Sequence, residues 1–140
     1  MSYLGAVNLI KSISETVNPT GLFQHGRRWD ASLNFGENNK QIYLYPITAN
    51  VDLANHYFES WNIAMGFYFE DAPDSTPLDM QGLIAQADVM VTEFLNLLNE
   101  TESIELSNAR KEPSYRQMAG TYTGYLLSFT LNTTTDLCVL

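Results

Sequence analysis

The chain reads as an α+β domain. We expect an antiparallel-rich sheet of about five strands, with an N-terminal helix and one long helix packed on one face. Three observations predict this. Residues 76–100 join a helix start signal to a broad apolar stripe. Trp29–Phe35 and Gln41–Ile47 are strand-like runs around a loop, Gly36–Lys40, of hairpin composition. Thr121–Asn132 alternates most regularly of all.

The long helix is the element around which the others are placed. Thr76 suits the N-cap, Pro77 the first helical position, and Asp79 the third position of a capping-box variant. Leu83, Ala87, Met90, Phe94 and Leu97 then recur at helical spacing. Ile84, Val91, Leu95 and Leu98 widen the stripe until it can cover a sheet.

Before it, Ser2–Val17 has the spacing of an amphipathic helix, with Leu4, Val7, Ile10, Ile13 and Val17 on one side; Asn18-Pro19-Thr20-Gly21 ends it. Leu22-Phe23 is a short extended piece and His25–Arg28 a turn. Trp29, Ala31, Leu33 and Phe35 share one face of a strand, and Pro46 marks the end or the edge of the return strand. Residues 48–60 carry no clear pattern, and Asn50–Asn55 within them fits either a turn or a short helix. Trp61–Phe69 is a strand with Trp61, Ile63, Met65, Phe67 and Phe69 together, and Gly66 is placed to let another backbone come close. Glu70–Ser75 is an acidic loop. Ser103–Ser107 is a short strand and Asn108–Ala119 a polar loop. In the last strand Tyr125, Leu127, Phe129 and Leu131 share a face. Residues 132–140 carry no pattern and are expected to form an extended arm. The 140 residues, 45% hydrophobic, suit a single domain with a real core.

Composition narrows the function classes. The net charge of -9 opposes nucleic-acid binding over most of the surface, so we expect no sequence-specific nucleic-acid partner. Charged residues make up only 16% of the chain, against about a quarter in a typical soluble domain; a surface so poor in charge suits one that other protein covers. One cysteine, Cys138, excludes an intrachain disulfide. The start lacks a signal-peptide pattern and no run is long enough to span a membrane, so a soluble protein made in a reducing cytoplasm is expected. The two glycosylation-like tripeptides, at Asn99 and Asn132, are then chance matches.

Catalytic and metal chemistry find little support. Glu70, Asp71, Asp74 and Asp79 lack the oxygen-ligand spacing of a calcium loop and fit a solvated loop leading into a helix N-terminus. His25 and His56 have no ligand partners at a useful spacing, and no nucleophile elbow or phosphate-binding glycine pattern is present. We expect no catalytic residue, no cofactor and no metal. The charged residues Arg27, Arg28, Asp71, Asp74, Arg110, Lys111 and Arg116 sit on polar connections and are the candidates for contact between subunits.

Element order, size and strand texture give a family comparison. The hairpin Trp29–Phe35 with Gln41–Pro46, the long helix, and the closing segment Tyr122–Leu131 together resemble the tail terminator and related neck proteins of tailed bacteriophages. These are small acidic proteins that pack helices on one face of an antiparallel-rich sheet and assemble as rings. The resemblance spans nearly the whole chain and rests on no single motif. It implies a non-catalytic structural protein of the virion, made in the host cytoplasm and placed in the head–tail region. Its partners would be copies of itself, in a ring of six or twelve, and other neck or tail proteins. The competing expectation is a small-molecule-binding or enzymatic domain. Its cleft would be lined by Tyr43, Tyr45, Trp61 and Tyr125, with His56 or an acid near Glu70 as base.

Overall fold

The computed structural model describes residues 1–26, 40–53, 58–71, 74–102, 104–116 and 122–134. Among them run α1 (Tyr3–Val17), β1 (Leu22–His25), β2 (Lys40–Leu44), β3 (Thr48–Asp52), β4 (Phe58–Glu70), α2 (Pro77–Asn99), β5 (Ile104–Arg116) and β6 (Tyr122–Thr134). The strands form one six-stranded sheet in the order β1-β2-β4-β6-β5, with β3 also on β4. Among the described residues only the β1–β2 pairing is parallel. The α+β class is as expected, with six strands rather than five. The expected strand at Trp29–Phe35 lies outside the described residues.

Both helices begin as local chemistry dictates. Ser2 caps α1, its hydroxyl accepting the Gly5 N–H at 3.0 Å. Thr76 and Asp79 close a reciprocal capping box on α2: the Thr76 N–H donates to Asp79 Oδ2 at 2.9 Å, and the Asp79 N–H donates to Thr76 Oγ1 at 3.2 Å. Hydrogen bonding from Thr76, its backbone N–H first, holds the Asp79 carboxyl below its ordinary value. The stripe of α2 is buried from Ala87 onward, through Met90, Val91, Phe94 and Leu98. In α1 the expected face packs on the core through Val7, Ile10, Ile13 and Val17, joined by Ala6 and Ser14, while Leu4 alone of the expected set is exposed.

Gly82 stands in the open part of α2, where an added Cβ would meet nothing within 4 Å. Helical geometry suits alanine there and alanine loses less freedom on folding. Gly82→Ala is therefore expected to stabilise the protein by about 1 kcal/mol, read as a higher urea midpoint at unchanged slope.

β4 is the central strand. One side pairs with β6 along its whole length, from Phe58↔Thr134 to Glu70↔Tyr122. The other side is shared: β2 pairs with residues 65–69 and β3 with residues 58–62. Between Leu44↔Met65 and Thr48↔Asn62, the three residues Tyr45, Pro46 and Ile47 oppose the two residues Ile63 and Ala64. This is a one-residue bulge, and the Tyr45 N–H keeps the ladder going by donating to the Ala64 carbonyl at 3.0 Å. The extra residue, Pro46, is exposed, and Ile47 regains the buried face.

The core lies between the helices and one face of the sheet. Trp61, Ile63, Met65, Phe67 and Phe69 of β4 meet Leu127, Phe129 and Leu131 of β6 and the stripes of α1 and α2. The β4 and β6 faces are the ones that alternation predicts. Two expectations are overturned. Asn50–Asp52, expected as part of a turn or short helix, belongs to the strand Thr48–Asp52. Asn108–Arg116, expected as loop, is the continuation of β5, interrupted by a register shift between Ser107 and Arg110 where Asn108 takes φ 54°. Arg, Lys and Pro are tolerated there because β5 is an edge strand, paired on one side only among the described residues.

Candidate functional site

The candidate contact residues do not gather at one place. Arg27 and Arg28 lie outside the described residues. Arg116 ends β5. Arg110 is exposed, with its guanidinium 3.4 Å from Glu112 on the same strand. Such an exposed pair is worth little to stability and leaves the guanidinium available to a partner. Lys111 points to the opposite face. Its Nζ lies 2.6 Å from Asp88 of α2 and 5.8 Å above the Tyr125 ring centroid. The hydrogen bond to Asp88 holds Lys111 above its ordinary value. Lys111 thus ties β5 to α2 within the subunit.

The acidic turn divides in the same way. Asp71 is only 3% exposed, and its Oδ2 accepts the Thr123 hydroxyl at 2.7 Å. This corrects its assignment as a surface contact: it joins the end of β4 to the start of β6 from inside. Asp74 is exposed. It borders an open depression of about 500 Å³ with Glu70, Ser75, Leu78, Asp79 and Gln86. Among the described residues, no three His, Cys, Asp or Glu side chains converge on a point where a metal could sit.

The sheet face turned away from the helices has two parts. Toward one end Tyr43, Tyr68 and Tyr122 are buried together, with Tyr45 and Leu126 packed on them. The Tyr68 ring covers Gly66, where a Cβ would strike it, so Gly66 admits an aromatic ring rather than a neighbouring backbone. The Tyr45 and Tyr68 hydroxyls share a hydrogen bond of 2.8 Å. Toward the other end the face is level and made of short polar side chains. Asn62 Nδ2 donates to Thr48 Oγ1 at 3.2 Å, Ser60 Oγ to Asn132 Oδ1 at 2.9 Å, and Asn132 Nδ2 to Ser107 Oγ at 2.9 Å. A shallow depression of about 350 Å³ opens here between Thr48, Asn62, Ala64, Asn108, Ser128 and Thr130.

Tyr122 gives the tyrosine cluster a pH signature. Burial, helped by the negative charge of Glu70, pushes its phenol up to about 12 from 10.0. Below the unfolded value the contribution to stability is complete. Between the two values the unfolded chain has released a proton that the folded chain keeps, so stability falls as pH rises. Urea midpoints of the wild type are expected to drop more between pH 9 and pH 11.5 than those of Tyr122→Phe. Equal drops would show that Tyr122 is not the group responsible.

The aromatics expected to line a cleft are split by the sheet. Tyr43 and Tyr45 belong to the tyrosine cluster, whereas Trp61 and Tyr125 pack on the helix side. They share no cleft. His56 lies outside the described residues. His25 is a clasp: Nδ1 lies 2.7 Å from the Leu44 carbonyl, and Nε2 lies 2.6 Å from the Tyr3 hydroxyl. A carbonyl only accepts, so Nδ1 carries the proton and, in the neutral ring, Nε2 accepts from Tyr3. The ring thereby joins α1, β1 and β2.

Sequence reasoning missed the exposure of β3, which is open to solvent on both faces at all five residues. With β5 it leaves the lower sheet, the part built on residues 58–62 of β4, with an edge strand on each side among the described residues. The available signal was the lack of large apolar residues from Thr48 to Asn50 beside a strand as apolar as Trp61–Phe69. No protein-family model and no curated protein matches the chain.

Proposed function

We propose that this chain is a non-catalytic structural subunit that closes into a homo-oligomeric ring in the head–tail region of a tailed phage, as a tail terminator, tail-completion or neck-ring protein. The observation that supports this reading best is the sheet with open edges. β3 is exposed throughout, and β5 offers a thirteen-residue edge, at its side away from β6, that no described element covers. An open edge carries backbone donors and acceptors that another chain can take up. Few charges stand on the level polar face between these edges, in keeping with the 16% charged content of the chain. The α+β arrangement, with two helices on one face of a mostly antiparallel sheet, agrees with the phage proteins that the sequence resembles.

Mass photometry of the purified protein across a concentration series is expected to find one closed oligomer of fixed size. A monomer at every concentration would overturn the ring. Mass spectrometry and electron microscopy of purified particles test the placement separately, since a ring absent from virions would overturn the virion role alone.

A further inference from the structure

Resting on the ring reading, we infer that the lower sheet edges meet head to tail: β3 of one copy pairs antiparallel with Ile104–Ser107 of β5 in the next. The direction of the strands allows this without turning a subunit over. β3 and β6 both run antiparallel to β4, and β5 runs antiparallel to β6. β5 therefore runs opposite to β3. A neighbouring copy in the same orientation brings its β3 alongside β5 as an antiparallel strand, so the sheet continues from subunit to subunit.

The two halves of β5 differ as docking edges. Beyond the register shift, Arg110, Lys111 and Pro113 follow within four residues. Charges, a proline without an N–H and a bulge are the devices that keep strands off an edge. Ile104–Ser107 has no proline and no cation, and neither has Thr48–Asp52. Each stretch carries a single acid, Glu105 or Asp52, and the two lie at the same level of the sheet. Thr48, Asn62, Thr130 and Ser107 form one row across it, and Val51, Glu59, Thr133 and Ile104 another.

Register follows from the side chains. Keeping those rows level between copies pairs Thr48 with Ser107, Ala49 with Leu106, Asn50 with Glu105 and Val51 with Ile104. Thr48, Asn50, Glu105 and Ser107 then lie together on the face away from the helices, and Ala49, Val51, Ile104 and Leu106 lie on the helix side. Val51, 49% exposed in the single chain, gains the half-buried Ile104 as its cross-strand neighbour. A slip of one residue puts polar against apolar faces. A slip of two sets Asp52 against Glu105 in one direction and Val51 against Glu102 in the other. The level register alone avoids these conflicts. Each subunit of a closed ring would hold two such seams.

Single-cysteine proteins test the pairing. Asn50→Cys and Glu105→Cys, each carrying Cys138→Ser, are co-expressed with distinguishable tags and oxidised. Directly opposed antiparallel residues have Cα atoms about 4.5–5.5 Å apart, within the span of a disulfide. The expected product is a covalent heterodimer joining the two variants, with a ladder of multimers when both cysteines are in one chain. Self-linked Asn50→Cys or Glu105→Cys dimers in its place would overturn the pairing in favour of a twofold contact. No cross-link in variants that remain oligomeric would overturn the pairing and leave the ring standing. A monomeric wild type would overturn both. Should the variants not fold, wild-type hydrogen exchange decides: on assembly, amides of Thr48–Asp52 and Ile104–Ser107 are expected to slow together by about tenfold or more. Unchanged exchange in both strands of an assembled protein would overturn the pairing.

Discussion

Phe94→Ala is expected to destabilise the protein by about 3–5 kcal/mol, a large part of the stability of an ordinary domain. Phe94 is fully buried in the C-terminal third of α2. Its ring meets Phe67 of β4 edge-on, with centroids 5.6 Å apart and planes at 69°, and lies 6.2 Å from Phe129 of β6. Those are the two longest-paired strands of the sheet. Their backbones are held by a thirteen-pair ladder and cannot fall into the space left by the ring. Both the lost burial and the cavity therefore count. Urea unfolding followed by circular dichroism reads the change. Val89→Ala, on the same helix at a 58% exposed position, is the matching control and is expected to stay within about 0.5 kcal/mol of wild type. Equal losses in the two variants would show that α2 does not seat on the sheet through Phe94.

Gly124→Ala is expected to cost about 3 kcal/mol, the upper end for over-packing, although it adds a single carbon. Gly124 lies in β6 between Tyr68 of β4 and Ser114 of β5. A Cβ built there runs into the carbonyl oxygen of Phe67 and comes within 3.0 Å of the Tyr68 Cα. These are backbone atoms of the central strand, so no rotamer change relieves the clash. The effect is opposite in sign to that of Gly82→Ala on α2. A Gly124→Ala protein with wild-type urea midpoint would show that β4 and β6 are further apart here than described.

Local chemistry was legible in the sequence wherever one segment carries the whole signal. The capping box needs only Thr76, Pro77 and Asp79, and the apolar faces of β4 and β6 follow from alternation in Trp61–Phe69 and Tyr125–Leu131. Elements whose environment comes from distant residues were harder to read. Arg110, Lys111 and Pro113 look like loop residues, but an edge strand needs neither a full set of backbone donors nor two apolar faces. Asp71 looks like a solvated acid because its partner, Thr123, is 52 residues away. Lys111 looks free for another subunit because Asp88 is 23 residues away. The burial of Tyr43 with Tyr68 and Tyr122 was not legible either, because strand alternation alone does not tell a solvent face from a second cluster. The parallel β1–β2 pairing is likewise set by tertiary contact. Of the candidate contact residues, Arg110 and Asp74 retain exposed positions, while Asp71 and Lys111 are engaged within the subunit.

The bulge at Tyr45–Ile47 makes the sheet a stiff plate with a compliant lip. The plate is clamped between the helices and the tyrosine cluster. The lip ends in β3, which has one paired edge among the described residues and solvent on both faces. β3 therefore lacks the packing on both faces that low local opening requires, whereas β4, the strand it adjoins, is seated in the core. In the proposed ring, a seam on β3 would let identical subunits adjust their common angle at the rim and leave the packed interiors unstrained.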